Sequence, residues 1–92
     1  MRLEIVWSPL AAARLREIRA FVALENPTAA ERLATRIVSL VEALRLHPHL
    51  GHSTSEVSLR ELPIGGTPYV ICYRLRRRQI LIATIHHSAQ QK

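Results

Sequence analysis

The chain has 92 residues, of which 13 are Lys or Arg and 7 are Asp or Glu, so its formal net charge is +6. This length fits one domain, because single cores usually organise roughly 50 to 200 residues. The single Cys72 excludes an intramolecular disulfide, and no run approaches the roughly 18 apolar residues that span a membrane. We therefore expect one cytoplasmic domain over residues 1–92 with a reduced core thiol, whose basic surface suits nucleic acid, ribosomes or an acidic protein.

The chain opens with a predicted strand and helix. Residues 2–7 place Leu3, Ile5 and Trp7 at every second position, which is the pattern of a half-buried strand. Ser8-Pro9 then supplies an N-cap hydroxyl and a proline at the first helical position. The helix should end near Glu25. Its apolar face is formed by Ala11, Leu15, Ile18 and Val22.

A second helix follows at once. Asn26-Pro27 breaks the first helix and can cap the next, although Thr28 begins a capping box and is the alternative cap. The pattern stops at His47-Pro48, so the two helices form an antiparallel hairpin. The apolar stripe comprises Ala30, Leu33, Ala34, Ile37, Leu40, Val41 and Leu44.

The C-terminal half predicts three strands. Residues 48–55 read as a loop, residues 57–64 as a short strand and residues 65–68 as a turn. Residues 69–75 form a nearly all-apolar central strand, residues 80–85 its hairpin partner, and the last seven residues a polar tail. The predicted fold is therefore α+β in two layers: an N-terminal strand, an αα-hairpin, then three antiparallel strands forming a sheet against the helices.

Three ordered segments carry a family resemblance: Arg60-Glu61-Leu62-Pro63-Ile64, Pro68-Tyr69-Val70-Ile71-Cys72-Tyr73 and Ile85-His86-His87-Ser88-Ala89-Gln90. Together they resemble the C-terminal half of the RelE/ParE toxin superfamily of type II toxin-antitoxin systems, and weaker matches extend the resemblance over almost the whole chain. The resemblance implies the same fold. It also implies a toxin, of a plasmid-stabilisation type of module, that assembles with a cognate antitoxin into a hetero-oligomer.

The resemblance leaves two targets open. ParE-like members inhibit DNA gyrase, whereas RelE-like members cut ribosome-bound messenger RNA with clustered basic, tyrosine, histidine or glutamate side chains. Here Val70 stands where a second arginine often follows the tyrosine, and residues 46–58 contain no lysine pair. We therefore favour a gyrase-binding toxin neutralised by a ParD-like antitoxin, without an expected cofactor. The alternative is a ribosome-dependent endoribonuclease, so whether the protein is an enzyme stays open.

If the protein is a nuclease, the candidate catalytic residues are Arg60, His87, Tyr69 and Tyr73. Histidine suits proton transfer near neutral pH, and arginine stabilises charge on phosphate. Each also has a structural interpretation. Arg60 could pair with Glu61 or Glu42, and the two tyrosines, four residues apart, should share a face and belong to the core.

The candidate partner-binding residues are Arg60, Arg74, Arg76, Arg77, Arg78, Phe21 and Leu24. The arginines near the hairpin turn suit an acidic target or the antitoxin, unless they only blunt a sheet edge. An exposed apolar groove beside Phe21 or Leu24 would suit an antitoxin segment that folds on the toxin. Three histidines, His47, His49 and His52, lie in a Pro/Gly loop that contains no Cys or acid partner, so no metal is expected.

Overall fold

Residues 3–88 are described by the structure, which is a computed structural model. Two expectations lie outside these residues: the contribution of Arg2 to the first strand and that of residues 89–92 to the polar tail. The elements are β1 (Glu4–Trp7), α1 (Pro9–Ala23), α2 (Pro27–Ala43), β2 (His52–Ser53), β3 (Leu59–Pro63), β4 (Tyr69–Leu75) and β5 (Gln79–His87).

The predicted α+β architecture is confirmed, with two helices packed against one five-stranded sheet of order β1-β5-β4-β3-β2. Strands β2 to β5 pair antiparallel, but β1 runs parallel to β5, with Glu4 opposite Gln79. The sheet is therefore mixed. Its parallel pair exists because the αα-hairpin carries the chain from one sheet edge to the other.

Both helices begin where the sequence places them. The Ser8 side chain accepts a hydrogen bond from the Ala11 amide at 2.9 Å, and the Asn26 side chain accepts one from the Ala29 amide at 3.0 Å. Asn26 is thus the second cap, and Thr28 lies inside α2. Proline follows each cap because its missing N–H needs no partner there.

Three strands differ from the sequence prediction. The short β2 lies in the segment predicted as a loop, where His52 pairs with Glu61. β3 is shorter than residues 57–64, and β5 extends through His87 instead of stopping at residue 85. Polar residues that pair with a neighbouring strand explain β2 and the longer β5, because hydrogen bonding extends pairing beyond an apolar run. β3 starts later than predicted because Ser58, with a φ of 64°, is not in an extended conformation.

The core lies between the helices and one face of the sheet. Ile37, Val41 and Leu44 of the second helical segment are fully buried, as are Ile71 and Tyr73 of β4. Because side chains alternate along a strand, residues next to these on β3, β4 and β5 point away from the helices. We call that second surface the far face of the sheet.

Within residues 3–88, neither helix has the length and apolar character needed to cross a bilayer.

Candidate functional site

Arg60 and Tyr73 hold the loop that follows α2, and we call this pair the loop clamp. The Tyr73 hydroxyl donates to the Pro48 carbonyl at 2.8 Å and accepts from the Gly51 amide at 2.9 Å. The Arg60 Nε donates to the Gly51 carbonyl at 2.8 Å. These groups therefore satisfy main-chain atoms of the loop, which is a structural role.

The loop clamp requires glycine at position 51, because there is no space for a side chain there. A Cβ at this position would lie 2.8 Å from the Tyr73 hydroxyl oxygen and 2.8 Å from the Glu61 carbonyl oxygen. Both contacts are closer than side-chain carbons normally come, and one is to backbone. The glycine lets the loop lie directly on the tyrosine ring.

The ion pairs considered for Arg60 are not the main contacts of its side chain. Its Nη2 lies 3.4 Å from the His49 carbonyl, beside the shorter Gly51 bond. Glu42 instead pairs with Arg45, with 2.7 Å between Oε1 and Nε. These contacts could not be predicted from sequence, because every residue has a main-chain carbonyl and the residue types in the loop do not show which carbonyl will bind Arg60.

Tyr69 and His87 form a second, separate pair. Their rings meet edge to face, with centroids 5.6 Å apart and planes at 85°. The two residues are paired in register at the start of β4, and they line a shallow groove with Phe21 and Arg14. Tyr69 packs partly against the core, as does the buried Tyr73, so the prediction that both tyrosines share the core face is confirmed.

The structure does not bring the four nuclease candidates together. Arg60 lies opposite Tyr73, and His87 lies opposite Tyr69. Four residues of strand separate the pairs, which corresponds to about 13 Å at a rise of about 3.3 Å per residue. In this structure Arg60 and Tyr73 are hydrogen-bonded to the loop and His87 packs on Tyr69, so the four side chains form two separate groups.

A third group lies on the far face. Glu61, Cys72 and His86 come from three neighbouring strands, and their ligand-capable atoms lie within 4.8 Å of one another. Burial, the Glu61 charge and a hydrogen bond to Glu61 raise the pKa of Cys72 to about 11. Cys72 is buried as predicted, but it lies beside a carboxylate on the far face and outside the core between sheet and helices.

The candidate arginines separate into paired and exposed groups. Arg74 binds Glu56 through its guanidinium and also donates to the Val57 carbonyl at 3.2 Å. Arg76, Arg77 and Arg78 are exposed in the β4–β5 turn. The charge at this turn is therefore presented to solvent mainly by the last three arginines.

An exposed apolar end of α1 lies at the other end of β4 from that turn. Phe21 is 67% exposed and Leu24 is 83% exposed, and both line a groove with Val22 and Asn26. Phe21 also lines the groove beside Tyr69. We call Phe21 and Leu24 the apolar end of α1. The expected apolar exposure near these two residues is present.

Comparisons with known proteins cover nearly the whole chain. Residues 5–92 match the family described as ParE toxin of type II toxin-antitoxin system, parDE. The candidate toxin Y4kP of Sinorhizobium fredii is 39% identical over 90 residues, which are 98% of this chain and 93% of that protein. Toxin RelE2 of Caulobacter vibrioides is 33% identical over 87 residues, which are 95% of this chain and 97% of that protein. A structure of the chromosomal ParDE TA system from P. aeruginosa superposes with a TM-score of 0.80 at 25% identity, covering 94% of this chain and 96% of that one.

Proposed function

This chain belongs to the ParE toxin family of type II toxin-antitoxin systems, and we propose that it inhibits DNA gyrase by direct binding and is neutralised by a ParD-like antitoxin. Family membership implies an antitoxin partner. The proposal places the toxin in the cytoplasm, where gyrase acts, as part of a plasmid-stabilisation type of module.

The main support for this proposal is that the four candidate nuclease residues lie in two separate pairs. The guanidinium of Arg60 and the hydroxyl of Tyr73 are bonded to main-chain atoms of residues 48–51. His87 packs against Tyr69, and this pair lies about four strand residues from Arg60 and Tyr73. RNA cleavage requires an acid, a base and phosphate-stabilising cations at one phosphate, whereas binding to a protein target requires no such assembly.

Two exposed surfaces suit the two proposed protein partners. The apolar end of α1 offers side chains that an amphipathic antitoxin segment can bury. The turn arginines Arg76, Arg77 and Arg78 offer positive charge for an acidic surface of the target. β4 separates the two surfaces, so each can be altered without changing the other directly.

Gyrase supercoiling assays test the proposal. Purified toxin should inhibit supercoiling in a dose-dependent manner, and the cognate antitoxin should reverse the inhibition. Arg77→Glu should weaken inhibition at least threefold, because it reverses a charge at the proposed contact. Arg32→Glu is the matched control, since it reverses an exposed charge on α2. Normal supercoiling in the presence of folded toxin, at all concentrations, would contradict the gyrase proposal.

Ribosome-dependent RNA cleavage is the second candidate, because two relatives at 33% and 34% identity carry the name RelE. The same preparation should be added to translating ribosomes, with messenger cleavage mapped by primer extension. We expect no new 5′ ends. Cleavage that His87→Ala abolishes would establish the nuclease alternative, whereas a gyrase-binding mechanism should tolerate that substitution.

A further inference from the structure

Glu61, Cys72 and His86 form a group of metal-binding residue types that the proposed toxin function does not use. Glu61 lies opposite Cys72 in the β3–β4 register, and His86 lies on β5 opposite Val70, two positions from Cys72 on the same face. Glu61 and His86 are largely buried side chains, with 16% and 21% exposed. The three residues are thus fixed by the strand pairing and shielded by it.

The separations within this group are close to those around a zinc ion. The Cys72 sulfur lies 3.9 Å from Glu61 Oε2, and the His86 Nε2 lies 3.8 Å from the same oxygen. Ligand bonds of about 2.0 to 2.3 Å in a tetrahedron place neighbouring ligand atoms about 3.3 to 3.6 Å apart. All three ligand atoms lie within 4.8 Å of one another, so side-chain rotations that shorten the separation of Cys72 and His86 by up to about 1.2 Å would complete that geometry.

A fourth ligand lies at the edge of the group. His52 Nε2 lies 3.4 Å from Glu61 Oε1, and the His52 side chain is 60% exposed. Because it is exposed at the sheet edge, this histidine has space to turn toward an ion held by the three inner residues. His52 was one of the three loop histidines weighed from sequence, but the partners that suit it come from the sheet and not from His47 or His49.

The chemistry of the group favours a borderline-soft ion. A thiolate, imidazole nitrogens and one carboxylate match the preference of Zn²⁺, whereas Mg²⁺ and Ca²⁺ prefer oxygen ligands. A buried thiol beside a carboxylate is a poor environment for a second negative charge, and a divalent cation would compensate both. The site would also link β2, β3, β4 and β5 across the far face.

We propose that Glu61, Cys72 and His86, completed by His52, bind one Zn²⁺ ion on the far face of the sheet.

The test is a calorimetric titration of the purified full chain with Zn²⁺, in a buffer that contains a reductant other than a metal-chelating thiol. We expect one ion per chain. His86→Ala and Cys72→Ser should each raise the dissociation constant at least tenfold. His47→Ala is the matched control, because it removes an exposed histidine outside the group and should leave the affinity unchanged.

Cobalt spectroscopy tests the site in the unaltered chain, so its result does not depend on whether a substituted variant folds. Co²⁺ added to the unaltered chain should produce a thiolate-to-cobalt charge-transfer band in the near ultraviolet, and Zn²⁺ should remove it. Circular dichroism of each variant should be recorded first, since Cys72 is only 5% exposed and its replacement can disturb packing. The proposal is overturned by the absence of that band, or by zinc binding of equal strength in the folded His86→Ala variant.

Discussion

At the scale of single residues, two candidate catalytic side chains form hydrogen bonds that hold a loop in place. Tyr73 and Arg60 bind the main chain of residues 48–51, and Tyr73 is fully buried. The sequence predicted that Tyr73 lies in the core, but it could not predict the loop contact. Hydrogen bonds to carbonyl and amide groups leave no pattern of residue types, so only the folded chain reveals them.

Replacing Tyr73 tests the loop clamp. Tyr73→Phe removes one donor and one acceptor and leaves the Pro48 carbonyl and the Gly51 amide without that partner. Unsatisfied buried polar groups cost about 1 to 3 kcal/mol, so we expect a loss of stability of about 2 kcal/mol in urea unfolding. Tyr69→Phe is the matched control, because its hydroxyl takes no part in the loop clamp. Equal stability of both variants would show that the clamp contributes little.

The far-face group also belongs to the residue scale. From sequence, Cys72 is a reduced core thiol in the apolar central strand, and Glu61 is only one of two ion-pair partners considered for Arg60. Their proximity depends on the register of β3 against β4, and that of His86 depends on β5 extending past residue 85. An error of one residue in either register would have moved the side chains to opposite faces.

At the scale of elements, the helix starts were predictable and the strand ends were not. Ser8-Pro9 and Asn26-Pro27 combine a capping side chain with a proline, and both act as predicted. Strand ends depend on partners elsewhere in the chain. The two-residue β2 forms only because β3 offers it an edge, so no local pattern predicts it.

Among residues 3–88, the side chain of the first helix cap hydrogen-bonds to the sheet, whereas that of the second does not. The Ser8 hydroxyl donates to the Ala83 carbonyl at 2.7 Å while its oxygen accepts from the Ala11 amide. Ala83 lies at a register irregularity, since Cys72 pairs with Thr84 but Tyr73 pairs with Ile82. The irregularity turns a carbonyl of β5 toward the start of α1.

Two alanine substitutions separate capping from this tertiary contact. Asn26→Ala removes only an exposed cap and should cost about 1 kcal/mol, the usual value for a lost N-cap. Ser8→Ala should cost about 2 kcal/mol, because the Ala83 carbonyl also loses its donor. The measurement is the difference in urea unfolding free energy between the variants. Equal losses would indicate that the Ser8–Ala83 bond adds nothing to the cap.

At the scale of the whole molecule, the family resemblance predicted the architecture and the comparisons established the family. The apolar pattern alone gave the layers but not the parallel pairing of β1 with β5, because pairing between distant segments is not encoded in local periodicity. The distribution of surfaces is likewise a property of the folded chain. It places the apolar end of α1 and the arginine turn at opposite ends of β4.

The apolar end of α1 gives a matched pair of exposed leucines. Leu24 is 83% exposed on the proposed antitoxin surface, and Leu46 is 82% exposed after α2. Leu24→Ser should weaken antitoxin binding at least tenfold, because a buried apolar contact is lost on association. Leu46→Ser should leave binding unchanged. Surface plasmon resonance with the cognate antitoxin measures both affinities. Equal affinities of the two variants would show that the antitoxin does not bind the apolar end of α1.

The parallel pairing of β1 with β5 has a consequence during synthesis. Glu4 and Gln79 are 75 positions apart, so the first strand leaves the ribosome long before its neighbour exists. At about 5 to 20 residues per second, that interval is roughly 4 to 15 s. The sheet can close only after β5 has been synthesised. A nascent chain that has not yet reached β5 therefore lacks the completed sheet, and with it the strand end at which Tyr69 and His87 meet.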